Sequence, residues 1–127
     1  MDLNFKKISI IGLGLIGTSI LHAIKAKEED ELVTFAYDVN PEHREIVLQM
    51  KIATFVCDDI ENTVSEADLV ILAVPVGSMK TVANLIAPFL RKNTIVTDTG
   101  STKRSVISDV NPYIPDNVYF IPSHPLA

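Results

Sequence analysis

The sequence is poor in cysteine and has no cluster of basic residues. Cys57 is the only cysteine, which excludes an internal disulfide and a CxxC metal site. The 11 lysines and arginines are outnumbered by 16 aspartates and glutamates, and the resulting net charge of −5 argues against a nucleic-acid partner. A single reduced thiol suits the cytoplasm, which is the location that we expect.

Long apolar runs are also scarce. One candidate, residues 8–21, follows Lys6 and Lys7 but is interrupted by three glycines and three hydroxyl side chains. It is shorter than the roughly 18–20 residues of a membrane span, and no small-residue cleavage site follows it. We interpret this run as a buried strand that leads into a helix, and we expect neither a secretory signal nor a membrane partner.

The chain does contain enough apolar residues for a core. They make up 47% of its 127 residues, which is too much for a disordered chain and sufficient for one domain. No linker, repeat or low-complexity segment divides the chain, so we assign residues 1–127 to one domain. Because it ends directly after the last predicted strand, we expect it to be the N-terminal part of a longer protein.

Short apolar runs alternate with amphipathic stretches of helix length. The pattern predicts strands at residues 7–11, 32–37, 54–56, 69–74, 94–97 and 118–121. It predicts helices at residues 15–27, 41–50, 78–90 and 103–110, and a short helix or turn at residues 59–66. This alternation is typical of a Rossmann-type, doubly wound α/β fold, with a mainly parallel six-stranded sheet and helices on both faces. We expect the strand order 3-2-1-4-5-6.

Two of these helices have apolar stripes that we expect to face the core. In the first helix the stripe consists of Ile16, Ile20, Ala23 and Ile24. In the fourth helix it consists of Val82, Leu85, Ile86 and Phe89.

A GxGxxG motif, formed by Gly12, Gly14 and Gly17, lies between the first strand and the first helix. In that position the motif is typical of a dinucleotide-binding loop, although three glycines also occur in ordinary strand-to-helix turns. Gly12 permits the tight turn, Gly14 lets a pyrophosphate approach the backbone, and Gly17 lets the helix pack closely on the strand. The N–H groups of the helix start, including Leu15 and Ile16, favour the pyrophosphate.

Asp38 ends the second strand, 21 residues after Gly17. An acidic side chain there accepts hydrogen bonds from the ribose hydroxyls of the adenosine and repels a 2′-phosphate. We therefore predict NAD as the cofactor, in preference to NADP. The alternative is that Asp38 only caps the helix that begins after Asn40. Arg44 is the nearby cation that could favour NADP, but we expect it on the solvated surface of the next helix.

Two further segments follow strands at the carboxyl edge of the predicted sheet. Val74 and Pro75 follow the fourth strand and are predicted to line the ribose or nicotinamide side of the cofactor, although Pro75 also serves as a strand terminator. Thr99 and Gly100 follow the fifth strand and are predicted to contact the cofactor too.

His22 and His43 lie in predicted helices and are expected on the surface, and no metal-ligand pattern is present.

The fifth and sixth strands bring a hydroxyl and an imidazole to the same edge, those of Ser101 and His124. The segments GLGLIGTSI, ADLVILAVP, TDTGSTK and SHPLA together resemble the nucleotide-binding domain of prephenate/arogenate dehydrogenases, also called cyclohexadienyl dehydrogenases. The first two segments are shared with many NAD(P) reductases, whereas the last two are more discriminating. The glycine that the family pattern places after Ala127 falls beyond the end of this chain.

The resemblance implies an activity and two catalytic residues. NAD⁺ takes a hydride from C4 of prephenate or arogenate while a base takes the proton of the C4 hydroxyl. The new carbonyl is conjugated to C1, so carbon dioxide leaves and the ring becomes aromatic. By resemblance His124 is the base, and Ser101 hydrogen-bonds this histidine or the substrate. Taken alone, His124 could be a loop residue and Ser101 could cap the helix that begins at Lys103.

The resemblance also implies a helical C-terminal domain that binds substrate and dimerises, so we expect a homodimer of the longer protein. Two other functions stay open. One is a different NAD(P)-dependent oxidoreductase of the β-hydroxyacid or imine reductase type. The other is a non-catalytic NAD-binding module, which the fold alone does not exclude.

Overall fold

The computed structural model describes residues 5–27, 32–99 and 103–122, with only the backbone described for 103–106. Its strands are β1 (Lys7–Ile11), β2 (Val33–Tyr37), β3 (Phe55–Val56), β4 (Leu69–Leu72), β5 (Ile95–Asp98) and β6 (Tyr119–Phe120). They form one sheet in the order β3-β2-β1-β4-β5-β6, and each neighbouring pair is parallel. The predicted strand order is confirmed.

Five helices connect the strands. They are α1 (Leu15–Ala26), α2 (Pro41–Met50), α3 (Ile60–Val64), α4 (Met79–Ile86) and α5 (Lys103–Val110). Single 3₁₀ turns occupy Val76–Ser78, Ala87–Phe89 and Asn111–Tyr113. The predicted fourth helix is therefore shorter, because Pro88 has no N–H to continue the α-helical hydrogen bonds.

The sheet carries a separate core on each face, because successive side chains of a strand point to opposite sides. On β1, Ile8 and Ile10 belong to one core together with Leu21 of α1 and Val47 of α2. Ile11 belongs to the other core, to which α3, α4 and α5 contribute Val64, Met79, Ala83, Ile86 and Val110. Helices α1 and α2 thus cover one face, and the later three helices cover the other, as the doubly wound fold requires.

The buried side of α1 differs from the predicted stripe. Gly17 and Leu21 are buried, whereas Ile16 is 53% exposed and Ala23 is also exposed. The prediction is therefore wrong for Ile16 and Ala23. Ile16 lines a cleft instead, so its apolar side chain does not pack in the core.

Helix α4 shows the same kind of error. Its buried residues are Met79, Ala83 and Ile86, whereas Leu85 is 52% exposed and Phe89 lies beyond the α-helical part. Ile86 was predicted correctly, and Leu85 was not. Leu85 lines the same cleft as Ile16.

The amino end of the sheet is held by Asp68, the residue before β4. Its Oδ2 accepts the backbone N–H groups of Lys6 and Lys7, each at 2.9 Å, and its Oδ1 pairs with the guanidinium of Arg91. Burial raises the pKa of Asp68, but these N–H donors and the charges of Arg91 and Lys7 outweigh it, so the pKa is below its ordinary value. This carboxylate joins the starts of the two central strands.

Candidate functional site

A cleft of about 930 Å³ lies at the carboxyl ends of β1, β2, β4 and β5. It opens between β1 and β4, which are neighbours in the sheet and lead into helices on opposite faces. This is the topological switch point, where open α/β sheets bind ligands. Within the described residues of the chain, no helix is both long enough and apolar enough to span a membrane.

Two glycines of the GxGxxG motif are required by the fold itself. Gly12 has φ +106°, and a Cβ on it would lie 2.6 Å from the carbonyl oxygen of Ala73. A Cβ on Gly17 would lie 1.8 Å from the carbonyl oxygen of Gly12. Gly17 is buried and does not line the cleft. Among the predicted cofactor-binding residues, it therefore contributes by letting α1 pack on β1.

Gly14 is different. Its φ of −78° suits any residue, and a Cβ on it would meet nothing within 4 Å. The described part of the fold therefore gives no reason for a glycine here. Gly14 lines the cleft, and the open space beside it leaves room for ligand atoms against the backbone. Such a cradle fits the pyrophosphate that the motif predicts.

The N-terminus of α1 is also unlike those of its neighbours. Asn40 caps α2 by accepting the N–H of Glu42 at 2.9 Å, and Asp59 caps α3 by accepting the N–H of Asn62 at 2.7 Å. Helix α1 begins after Gly14 with no side-chain cap and no acidic residue in its first turn. Leu15 and Ile16, which begin the helix, line the cleft, so the uncapped N–H groups and the positive end of the dipole suit an anion there.

Asp38 lies beside the glycine loop, directly after β2. Its Oδ2 accepts the N–H of Leu13 at 2.7 Å, and its Oδ1 accepts the N–H of Asn40 at 2.8 Å. Burial raises the pKa of Asp38, but these two N–H groups and the side chain of His43 outweigh it, so the pKa lies below its ordinary value. A carboxylate in this state offers acceptors to the cleft and repels other anions. The alternative role as helix cap is wrong, because Asn40 caps α2.

His43 and Arg44 are partly exposed residues of α2, but both also contact Asp38, which the sequence analysis did not predict. His43 is 43% exposed, lines the cleft, and places Nδ1 3.2 Å from Oδ2 of Asp38. Arg44 donates from Nη1 to the carbonyl oxygen of Asp38 at 2.8 Å and lies 5.8 Å from the ring centre of Tyr37. The start of α2 is therefore organised around Asp38. By contrast, His22 is exposed, as predicted.

Sequence reasoning missed His43, although one signal pointed to it. Pro41 is the first residue of α2, so His43 occupies the third helical position after the Asn40 cap. A side chain at this position reaches back towards the cap, as in a capping box. With an acidic residue just before the cap, a histidine there is placed to contact it.

Apolar side chains flank the cleft near its mouth. Leu15 is 87% exposed and Val39 is 82% exposed, and both line it. Val74 and Pro75 line the cleft, and so does Thr99, whose N–H donates to the carbonyl oxygen of Leu72 at 3.1 Å. Such walls suit the flat faces of a nucleotide's rings and sugars.

The remaining predicted residues cannot be placed. Gly100, Ser101 and His124 lie outside the described residues. Among the residues that the structure does describe, no group of three or more His, Cys, Asp or Glu side chains is arranged to hold a metal ion.

Comparison with known proteins identifies the family. Residues 21–127 match the family model described as prephenate dehydrogenase, nucleotide-binding domain. The chain belongs to the prephenate dehydrogenase family. The matched region begins inside α1, so the GxGxxG motif is an observation independent of this match.

Relatives and solved structures agree with the assignment to the prephenate dehydrogenase family. The chain is 46% identical to a cyclohexadienyl dehydrogenase of Zymomonas mobilis over 123 residues, which are 97% of the chain and 41% of that relative. It is 35% identical to a prephenate dehydrogenase of Lactococcus lactis, across 96% of the chain and 34% of that relative. The chain thus spans less than half the length of these relatives.

The prephenate dehydrogenase of Aquifex aeolicus, solved in complex with hydroxyphenyl propionate and NAD⁺, superposes with a TM-score of 0.84 at 24% identity, across 99% of this chain and 43% of that one. An arogenate dehydrogenase of Synechocystis superposes with a TM-score of 0.81 at 22% identity, across 94% of this chain and 40% of that one. These likenesses confirm the Rossmann-type fold.

Proposed function

We propose that this chain is the NAD-binding part of a dehydrogenase that oxidatively decarboxylates prephenate or arogenate in tyrosine biosynthesis. The observation that carries the proposal is a cleft bounded by Gly14 and Asp38 in a chain of the prephenate dehydrogenase family. For the longer protein, the resemblance supports a cytoplasmic homodimer that acts on a small-molecule substrate.

The described residues fit the cofactor. Gly14 and the uncapped start of α1 would hold the pyrophosphate, and Asp38 would accept hydrogen bonds from the adenosine ribose. Val74, Pro75 and Thr99 would line the cofactor further along the sheet edge. Bound NAD⁺ supplies the acceptor for the hydride that leaves C4 of the substrate.

The preference for NAD over NADP follows from charge. The carboxylate of Asp38 would repel a 2′-phosphate, and its low pKa keeps it ionised at neutral pH. Arg44 is a cation close to Asp38, and its guanidinium is already engaged with the carbonyl oxygen of Asp38 and the ring of Tyr37. NADP would therefore meet a negative charge without a dedicated partner for its phosphate.

Two residues of the family pattern would carry the proton chemistry. His124 would accept the proton of the C4 hydroxyl, and Ser101 would hydrogen-bond His124 or the substrate. A base must lie within hydrogen-bonding reach of its proton, so the placement of His124 decides the rate. The carboxylates of the substrate require cations as well, and the resemblance assigns these to the C-terminal domain.

The first test uses the 127-residue chain. We expect calorimetric titration to show NAD binding, with weaker binding of NADP, and absorbance at 340 nm to show no turnover of prephenate. The reason is that the nucleotide cleft is contained in this chain, whereas the substrate cations of the family are not. Failure to bind NAD would contradict the cofactor assignment. Robust NADH production would contradict the need for a second domain.

The second test uses a longer protein that contains this chain. His124→Asn should lower kcat by roughly 10²–10⁴-fold, the usual cost of losing a general base, with little change in NAD affinity. The exposed residue His22 offers a matched control, and His22→Asn should leave kcat unchanged. A His124→Asn enzyme with near-parental kcat at neutral pH would exclude His124 as the base.

A further inference from the structure

In the proposed complex, the adenosine ribose would present two neighbouring hydroxyl donors to Asp38. A carboxylate has about four lone-pair positions, two on each oxygen. On Asp38, Oδ2 already accepts the N–H of Leu13 at 2.7 Å and faces Nδ1 of His43 at 3.2 Å. Oδ1 already accepts the N–H of Asn40 at 2.8 Å. One lone-pair position, on Oδ1, is left for two hydroxyls.

His43 has the missing acceptor. Because an ionised carboxylate can only accept, Nδ1 of His43 must carry the proton in its contact with Asp38. In the neutral ring Nε2 is then an acceptor. Among the side chains that the structure describes, none hydrogen-bonds to Nε2, and the ring is 43% exposed where it lines the cleft.

The position of His43 is held from both sides. Its helix is capped by Asn40, and the next residue, Arg44, binds the carbonyl oxygen of Asp38 at 2.8 Å. The imidazole, the carboxylate and the start of α2 therefore form one hydrogen-bonded unit. The contact with Asp38 restrains the ring before a ligand arrives, which favours a binding role.

We propose that His43 is a second ribose-recognition residue, which accepts one hydroxyl of the adenosine ribose through Nε2 while Oδ1 of Asp38 accepts the other. This inference rests on the proposed binding of NAD. It assigns His43 a contact of its own with the cofactor, beyond orienting Asp38. It also makes the Asp38–His43 pair the group that distinguishes a ribose diol from a ribose with one hydroxyl.

The test combines two analogues of NAD⁺ with two variants. The analogues lack either the 2′- or the 3′-hydroxyl of the adenosine ribose, and their dissociation constants are measured by calorimetry on the 127-residue chain. For the parent we expect each missing hydroxyl to weaken binding by roughly two- to tenfold, the value of one hydrogen bond. His43→Asn keeps an N–H near the position of Nδ1 but removes the acceptor at Nε2. In this variant, the absence of one of the two hydroxyls should no longer weaken binding, whereas the absence of the other should weaken it as in the parent.

Two controls accompany the variant. His22→Asn on α1 should keep both penalties, and thermal unfolding without nucleotide should show that His43→Asn is folded. The second measurement needs no variant. The ¹⁵N chemical shift of His43 Nε2 in the parent chain should move on saturation with NAD⁺ and should move less with one of the two analogues.

The outcomes separate the two proposals. If the parent does not bind NAD⁺, the proposed function fails and this inference fails with it. If NAD⁺ binds but His43→Asn keeps both penalties, or if the ¹⁵N shift of Nε2 is the same with both analogues as with NAD⁺, His43 only orients Asp38. The inference is then overturned while the proposed function stands.

Discussion

Two aspartates at opposite ends of the sheet are held by similar contacts but differ in their surroundings. Asp38 and Asp68 each accept two backbone N–H groups, each has a cationic or imidazole partner, and each has a pKa below its ordinary value. Asp68 lies at the amino end, and its partner Arg91 is permanently charged. Asp38 lies at the carboxyl end, beside a cleft, and its partner is His43.

The difference shows how location decides the role of a carboxylate. At the amino end the contacts of Asp68 join β1 to β4 and to Arg91, so we assign Asp68 a role in the fold. At the carboxyl end, where α/β sheets bind their ligands, part of the acceptor capacity of Asp38 faces open space. A hydrogen-bond pattern alone would not have separated Asp68 from Asp38, the residue that we propose to bind the cofactor.

The largest effect is expected from exchanging each aspartate for asparagine. Asp38→Asn halves the acceptor capacity of this side chain and removes its charge, so NAD affinity should fall by roughly 10–100-fold, the value of one charge-assisted hydrogen bond or slightly more. NADP should lose less, because the repulsion of its phosphate is gone. Calorimetric titration of both nucleotides measures this.

Asp68→Asn is the matched control, and it should lower the stability of the fold without changing NAD affinity. It weakens the links to Lys6, Lys7 and Arg91, so the free energy of unfolding should fall by about 1–3 kcal/mol, while NAD affinity stays at the parental value. Urea titration and calorimetry on the same samples measure both quantities. If Asp68→Asn weakened NAD binding as much as Asp38→Asn, the distinction between the two ends would be wrong.

A smaller effect is expected at Gly14. A methyl group there meets nothing in the described chain, so Gly14→Ala should leave thermal stability unchanged or slightly increased, because alanine restricts the unfolded chain. It would occupy the space next to the proposed pyrophosphate, and NAD affinity should fall by roughly tenfold. Gly17→Ala is the contrasting variant. Its Cβ would collide with the carbonyl oxygen of Gly12, so the substitution should destabilise the fold itself. Parental NAD affinity in Gly14→Ala would remove this glycine from the site.

The smallest effect is on the pH dependence of stability. Both aspartates have a folded-state pKa below the unfolded value, which lies near 4. Their contribution to stability is therefore complete above that value and is lost as the pH falls through the folded-state pKa. Urea titrations from about pH 5 downwards should show the parent losing stability on acidification more steeply than Asp68→Asn. Equal slopes would mean that the pairing of Asp68 does not stabilise the fold.

Much of the fold could be predicted because local patterns and topology agree. The β-branched run at Lys7–Ile11, the Asn40 cap and the Pro41 start each specify a local structure that the fold retains. The strand order then follows from right-handed crossovers. Gly12, Gly14 and Asp38 could be predicted for the same reason, since the loop and the strand end are defined by their position in this topology.

The errors have two physical causes. Apolar periodicity reports which helix face avoids water, and it does not distinguish a core from a ligand cleft. Ile16 and Leu85 were assigned to the core because they are apolar and correctly spaced, yet both line the cleft. His43 and Arg44 were placed on the surface because their contacts depend on the turn between β2 and α2, which the sequence pattern does not describe.

The link between Asp68 and the start of β1 also bears on the speed of folding. Residues about sixty positions apart in the chain meet there, and the register Ile8–Leu69 continues the same long-range pairing through the centre of the sheet. The entropy of closing so long a loop must be overcome before the central pair of strands contributes, and such non-local contacts slow folding. The segments β1–α1–β2 and β4–α4–β5 can each form from closer neighbours. We expect the join between them to set the folding rate, and the Asp68 contacts to stabilise the product of that step.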